Sequence, residues 1–343
     1  MGVQGKYTAS FIALAACASS APAQAETLRL GAHLPAGTDA ALDVEAIAVD
    51  DLGGSKGSQL AFELKEVLQK ARVHDEPWFD VIAIGAGPVD AVIQGGANVD
   101  ASVIELEPKR ERKCDEKDDD GKCIRYRTDV YECTRTEVTF YPDIEVVGQK
   151  GRLLYASRDA ISREKEICAD FGPPPSIREM TDGLVGSFAW RVRNALAPRY
   201  YERDYRILER RKGLEKADRK AFKAAVKLTK SDEDAACEAF KALEVNNPTQ
   251  VSVLFNSAMC HERAGDFDAS LAVLERALAV EPKKLMALES VDRVEGWIKA
   301  EEQLAKRADI LTQRYAAALA AQPTPQSEEG ALSAAAPDQT ETN

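Results

Sequence analysis

Gly85 and Gly87 follow the apolar run Val81-Ile82-Ala83-Ile84, the spacing of a turn that aims helix N–H groups at a dinucleotide pyrophosphate. Glu105 and Glu107 fall about where a ribose-binding carboxylate would stand. That is the chemistry of an NAD- or flavin-dependent oxidoreductase. Three features oppose it. The third glycine position is Asp90, whose charge would face the pyrophosphate. A helix read over residues 89–93 is cut short by Gly95-Gly96. No second nucleotide-binding half comes after it. The expected role of Gly85 and Gly87 is therefore a backbone turn between a strand and a helix, with the dinucleotide-dependent oxidoreductase as the alternative function.

A second constellation is Glu116, Asp118 and Asp120 before Gly121, the alternate-residue oxygen spacing of a calcium loop. The twelfth position is Arg127 rather than glutamate, and no helices flank the loop, so a solvated acidic hairpin tip is expected instead. The three histidines, His33, His74 and His261, are far apart. No G-x-S-x-G or H-E-x-x-H motif occurs. The sequence thus predicts no catalytic residue, no cofactor and no metal.

The cysteines point to a compartment. Lys6, the short apolar run of residues 7–16 and Ala23-Gln24-Ala25 before Glu26 form a secretory signal with an A-x-A cleavage site. Overlapping it, Leu14-Ala15-Ala16-Cys17 resembles a lipobox, after which Cys17 would carry lipid. Both cleavages stay open. No later segment holds about 20 apolar residues. Cys114, Cys123, Cys133, Cys168, Cys237 and Cys260 remain, an even number for which an oxidising compartment makes disulfides the default. Their spacing lacks the close pairs of a zinc site. Cys237 and Cys260 fall on successive helices and are expected to bond, with Cys114–Cys123 the first choice among the other four.

The elements that would position these residues fall into two regions. In residues 44–106 the pattern reads strand (44–49), helix (Leu60, Leu64, Val67, Leu68), strand (78–84), short helix (89–93) and a third strand from Val99. Such alternation is an α/β layer. The segments IAVDDLGG, SQLAFELKEVLQKA, FDVIAI and GGANVDASVIELE, with a helix near residues 177–196 before Ala197-Pro198, resemble the envelope family of the curli-secretion lipoprotein (CsgG-like) and the lipoprotein activators of penicillin-binding proteins. The resemblance spans about residues 40–200. It implies an envelope location and a non-catalytic assembly or regulatory role.

Further along, Tyr126, Thr128, Val130, Thr134, Thr136, Val138 and Phe140 share one face of a long strand, and Arg125, Arg127, Asp129, Arg135 and Glu137 the other. Period 2 with one wet face predicts an antiparallel ribbon. Residues 148–151 make a turn into Leu153-Leu154-Tyr155. The family's secretion protein crosses the outer membrane with such strands, but a lipid-facing strand is apolar at every second position and this one is charged. No pore is expected.

Pro248 and Pro282 are 34 residues apart, with Ala236, Phe240 and Leu243 matching Ser270, Leu274 and Ala277. Leu254, Ala258 and His261 line one helix of the second unit. Gly265-Asp266-Phe267 makes the turn, and Leu271, Leu274, Ala277 and Leu278 line the next helix. This resembles a tetratricopeptide repeat. The unit over residues 215–248 departs from it, with Lys220 at an apolar position and Ser231-Asp232 for the glycine turn. The resemblance implies a concave surface that takes a protein or peptide. Asn256, Glu262 and Arg263, polar residues of the first helix, are the expected partner contacts. Residues 199–230 hold 12 lysines and arginines against 5 acids, a cationic run that suits lipid headgroups or an acidic partner.

The chain has 343 residues with 45 lysines and arginines and 57 acids, a net charge of -12 that argues against nucleic acid as partner. The expected class is α+β. An α/β domain of two or three layers over residues 26–200, with a cysteine-containing β-ribbon at about 105–157, comes after a leader at 1–25. An all-α helical-repeat domain over 201–320 and a disordered tail over 321–343 complete the chain. The expected role is a periplasmic binding or assembly module for a protein or peptide partner in the cell envelope. It would be soluble, peripheral, or tethered to the outer membrane through Cys17. Intact mass of the exported protein checks the leader: a product beginning at Glu26 is expected, and a Cys17 start with added acyl mass would instead show a lipoprotein.

Overall fold

Leu60, Leu64, Val67 and Leu68 recur at helical spacing, and helix α1 (Gly57–Gln69) buries all four. In this computed structural model, residues 26–169 and 175–321 are described. The fold is α+β. In chain order its elements are β1 (Thr27–Leu34), β2 (Ala46–Val49), α1, β3 (Arg72–Val73), β4 (Glu76–Pro77), β5 (Asp80–Val81), β6 (Ala91–Lys117), β7 (Cys123–Gly148), β8 (Leu153–Ser157) and β9 (Ile161–Cys168). Then come α2 (Ile177–Leu196), β10 (Arg199–Arg206), α3 (Lys216–Leu228), α4 (Glu233–Asn246), α5 (Val251–Arg263), α6 (Phe267–Val280) and α7 (Leu285–Ala320).

The chain divides into two compact units. Among the described residues, one joins Ala32–Tyr201 to residues 295–321, and the other joins Glu202–Val294 to residues 26–31. The expected boundary at 200 falls beside the division between Tyr201 and Glu202, whereas the expected start at 26 and end at 320 need correcting. Among the described residues, 26–31 group with the helices, and α7 from Glu295 groups with the sheet. Arg307 shows why. Its guanidinium donates to the carbonyls of Leu42 (2.9 Å), Val44 (2.8 Å) and Trp78 (2.7 Å) and lies over the Trp78 ring. Three carbonyls that would otherwise be buried without a donor are satisfied by one planar cation.

The main sheet runs β5-β2-β6-β7-β8, with β9 also pairing β7. β5, β2 and β6 are parallel, and β6, β7, β8 and β9 are antiparallel. The inner ends of β6 and β7 belong to the core. Ile93, Val138, Phe140, Ile144 and Val146 are fully buried, and Phe140 meets Phe188 of α2 edge to face at 5.7 Å. α2 starts on a capping box, Ser176 accepting from the Glu179 amide while the Glu179 carboxylate accepts from the Ser176 amide. It ends before Pro198, which cannot continue a helix.

The segment between α1 and β6 corrects the sequence reading. Only Asp80–Val81 pair as a strand; residues 82–90 form a loop that is exposed over 83–88. No helix occupies residues 89–93; β6 begins at Ala91, and residues 99–106 lie well inside it. Val92 and Ile93 are β-branched and pair with β2 and β7, which a five-residue helix could not match. Gly95-Gly96, read as a helix break, has a different cause. A Cβ on Gly96 would stand 2.8 Å from the Gly53 carbonyl oxygen, where the two backbones bridge. Gly95 has a φ of +128°, and a Cβ there would meet the Asp143 oxygen at 1.9 Å.

Gly95→Ala should therefore destabilise the sheet unit by about 2 kcal/mol or more, since both the dihedral and the contact oppose a side chain. Thermal unfolding followed by circular dichroism checks this. An exposed-loop control, Gly87→Ala, has nothing within 4 Å of the added carbon and should change little.

Candidate interaction surfaces

β6 and β7 pair from Ala91–Gly148 at the base to Lys117–Cys123 at the tip, a ribbon far longer than the 105–157 reading implied on β6. The alternating face of β7 behaves differently along its length. Thr136, Val138 and Phe140 are buried at the base, but Tyr126 and Val130 on the same face are exposed. Val103 (58% exposed) and Ile124 (60%) are further apolar side chains of the ribbon that stand in solvent. Around them, charges compensate one another locally. Arg125 pairs with Asp115 at 2.7 Å, Arg127 with Asp129 at 3.1 Å and Lys109 with Glu111 at 3.0 Å. Arg112 lies over the Tyr126 ring at 3.9 Å.

Two disulfides hold the ribbon. Cys114 and Cys123 close the tip, with Cα atoms 5.7 Å apart. Cys133 and Cys168 join β7 to β9 at opposed register positions. Beside the second bond, Arg135 pairs with Glu166 across the same two strands. At the turn, Asp118 Oδ1 accepts from the Asp120 and Lys122 amides, and Gly121 takes the positive φ that the turn requires. The acidic run thus shapes a hairpin tip. Among the described residues no cluster of three or more metal-ligating side chains gathers.

Gly85 and Gly87 lie in the exposed loop after β5, and the next element of the chain is the strand β6. There is no helix N-terminus at this turn to meet a pyrophosphate, and the expected strand-to-helix turn is a strand-to-strand one. Asp90 has a structural task. Its Oδ2 accepts from the amides of Glu45 (2.9 Å) and Ala46 (3.0 Å), and Oδ1 pairs with Arg314. Those donors hold its carboxyl below the ordinary range against the opposing cost of its burial.

Of the three residues expected to meet a partner on α5, Asn256 and Glu262 are buried and Arg263 is exposed. α5 is buried almost all round, from Val251 through Cys260. Asn256 is fully buried, accepting from the Leu208 amide at 2.8 Å and donating to the Leu208 carbonyl at 2.9 Å. Arg263 is engaged by Glu233 at 3.0 Å and by Asp234. Glu262 is 1% exposed and receives two hydrogen bonds on Oε2 from Arg293, at 2.8 and 2.6 Å. Its Oε1 has no hydrogen-bond partner among the described residues. Helical spacing showed these residues to be polar but not that their helix is enclosed over most of its length. In the same unit Cys237 of α4 and Cys260 of α5 are bonded, with Cα atoms 5.3 Å apart. Cys17 and the Ala23–Ala25 cleavage site lie outside the described residues, as does the chain after 321.

The exposed apolar side chains of the ribbon were only partly visible in the sequence. Period 2 marked Tyr126 and Val130, but not where burial stops. Val103 and Ile124 needed the register. Among the described residues, no helix is long and apolar enough to cross a membrane.

No protein-family model matches the chain, and no curated protein matches it. Among solved structures it is similar to a minor lipoprotein from Acinetobacter baumannii. That similarity has 11% identity and a TM-score of 0.21 over 44% of this chain and 90% of the other. A likeness of that size carries no conclusion about fold or role.

Glu262 gives a measurable signature. Burial pushes its pKa up to about 7, outweighing the attraction of Arg293. The folded state therefore binds a proton that the unfolded state has released between roughly pH 4.5 and 7. Stability from this group is full at the acidic end of that window and is lost as pH rises through 7, by up to about 3 kcal/mol. Urea midpoints of the wild type should fall between pH 5.5 and 8.5. In Glu262→Gln that part of the slope should vanish; an unchanged slope would assign it to other groups.

Proposed function

We propose that this is an exported envelope protein that binds a protein partner and performs no chemistry of its own. In this reading the sheet unit acts as a CsgG-like assembly domain and the helical pairs as tetratricopeptide-like support. The observation that carries the reading is the ribbon. The apolar side chains Val103, Ile124, Tyr126 and Val130 are held in solvent on a strand pair whose tip is closed by one disulfide and whose β7 is tied to β9 by another. An isolated two-stranded hairpin is marginal in water, so the covalent fastening favours a presented surface over a loose loop. Three disulfides also suit an oxidising compartment such as the periplasm. Asp90 is held by the Glu45 and Ala46 amides and Arg314, and Glu262 is enclosed with Arg293, so both carboxyls have a structural task.

A photo-crosslinking residue placed at Ile124 or Val103 in the exported protein should capture one discrete envelope partner. The same probe at Phe62, an exposed aromatic of α1 (62%), should not. A double substitution, Ile124→Asp with Val130→Asp, should reduce the capture at least tenfold while leaving the melting temperature unchanged. Equal capture from Phe62, or none from the ribbon, would remove the reading.

A further inference from the structure

The cationic run of residues 199–230 becomes ordered on α3. Phe222, Ala225 and Val226 of this helix are buried. The opposite side carries Lys216, Lys220, Lys223 and Lys227, spaced by four, three and four residues and all exposed. At 100° per residue that spacing confines them to a narrow stripe about 17 Å long. Between them stand Ala217, Ala221 and Ala224, also exposed. None of the four lysines has an ion pair or side-chain hydrogen bond among the described residues. The nearest acids in sequence are placed elsewhere. Asp218 accepts from Asn247 at 3.0 Å, and Glu215 is the N-cap position.

This is unusual in a chain whose acids outnumber its bases by 57 to 45. On the ribbon, by contrast, Lys109, Arg125 and Arg127 are paired with acids of the same two strands. A stripe of four uncompensated lysines costs self-repulsion on one helix face, so its retention calls for an external counter-charge. The geometry narrows the kind. Lysine is a hydrated point charge without the fork that grips one carboxylate, and alanines between the lysines offer no groove for a side chain. A convex row of point charges fits a plane of anions. We infer that the α3 stripe docks on a layer of anionic phospholipid headgroups. The attraction is electrostatic, with no apolar insertion, since the exposed apolar residues beside the lysines are all alanines. Attachment is accordingly reversible and salt-sensitive.

The test is co-sedimentation of the full chain with phosphatidylcholine vesicles, with and without one third phosphatidylglycerol. Capture should require the anionic lipid and be released by salt at about 0.5 M. The variant K216Q/K220Q/K223Q/K227Q keeps good helix formers, and circular dichroism should show its helix content and melting unchanged. Its apparent affinity for the anionic vesicles should fall at least tenfold. A charge-matched control, K122Q/K165Q/K283Q/K299Q, should bind as the wild type does. Equal capture by both vesicle kinds overturns the inference, as does a stripe variant that still binds or a control that loses as much. Salt-dependent self-association in sedimentation equilibrium, lost in the stripe variant while vesicle capture is unchanged, would assign the stripe to a second copy instead. None of these outcomes depends on the ribbon, so the two readings fail separately.

Discussion

The pairing of β6 with β7 is the constraint on which the sheet unit rests. These two strands provide the buried centre of the sheet through Ile93, Val138, Phe140, Ile144 and Val146, then continue together beyond it. One hydrogen-bond ladder thus serves two environments. At the base, burial of aliphatic and aromatic side chains, on the order of 2 kcal/mol each, fixes the register. A slip of one residue would turn Val138 and Phe140 out of the core. Past Cys133 that hydrophobic reward is gone, and a two-stranded ribbon alone would fray. The bond between Cys114 and Cys123 closes the far end, so the register set at the base is carried to the tip.

The ribbon also carries the usual hazard of a long unpaired edge. Beyond Gly96, β6 has β7 on one side only. The sequence there is dense in charge, with Glu105, Glu107, Lys109, Arg110, Glu111, Arg112 and Lys113, and Pro108 sits at the register shift between Leu106 and Lys109. A proline without a donor and a row of alternating charges discourage the addition of another strand. The exposed apolar side chains on the face are thereby separated from the edge. Contact through side chains remains open where backbone pairing is opposed, which is the pattern expected of a recognition surface rather than an aggregating one.

Legibility in the sequence followed the length scale of the signal. α2 was readable to its ends, because Ser176 and Glu179 mark the start and Pro198 the stop. The helices over 216–280 were readable because their apolar period persists for several turns. The segment 89–93 was not. Five apolar and β-branched residues carry no decisive period, and a plausible glycine turn before them suggested a helix that the neighbouring strands β2 and β7 instead claim. Gly95-Gly96 likewise signalled a backbone constraint without saying which. Only the approach of Gly53 and Asp143 identifies it. Asn256 and Glu262 were misplaced for a related reason: a polar residue in a helix is assigned to solvent unless its buried partner, here Leu208 or Arg293 from a distant stretch of chain, is already known.

Charge is handled in opposite ways in these elements, and that contrast is more informative than the net value of -12. Glu262 and Arg293 are enclosed together, yet the carboxylate remains costly because one oxygen lacks a donor. Enclosure of that kind specifies how α5 packs without adding much stability at neutral pH. On the ribbon, cations and anions stand a few ångströms apart in solvent, where each pair is worth little individually but keeps the local field near zero. On α3 no such cancellation occurs. A lysine stripe retains its full field to about a Debye length, roughly 8 Å at physiological salt. A side chain whose charge is answered inside the fold has a structural explanation already. Where the answer is missing along a whole helix face, the fold itself supplies no reason for the charges, and that reason has to be sought in whatever lies against the face.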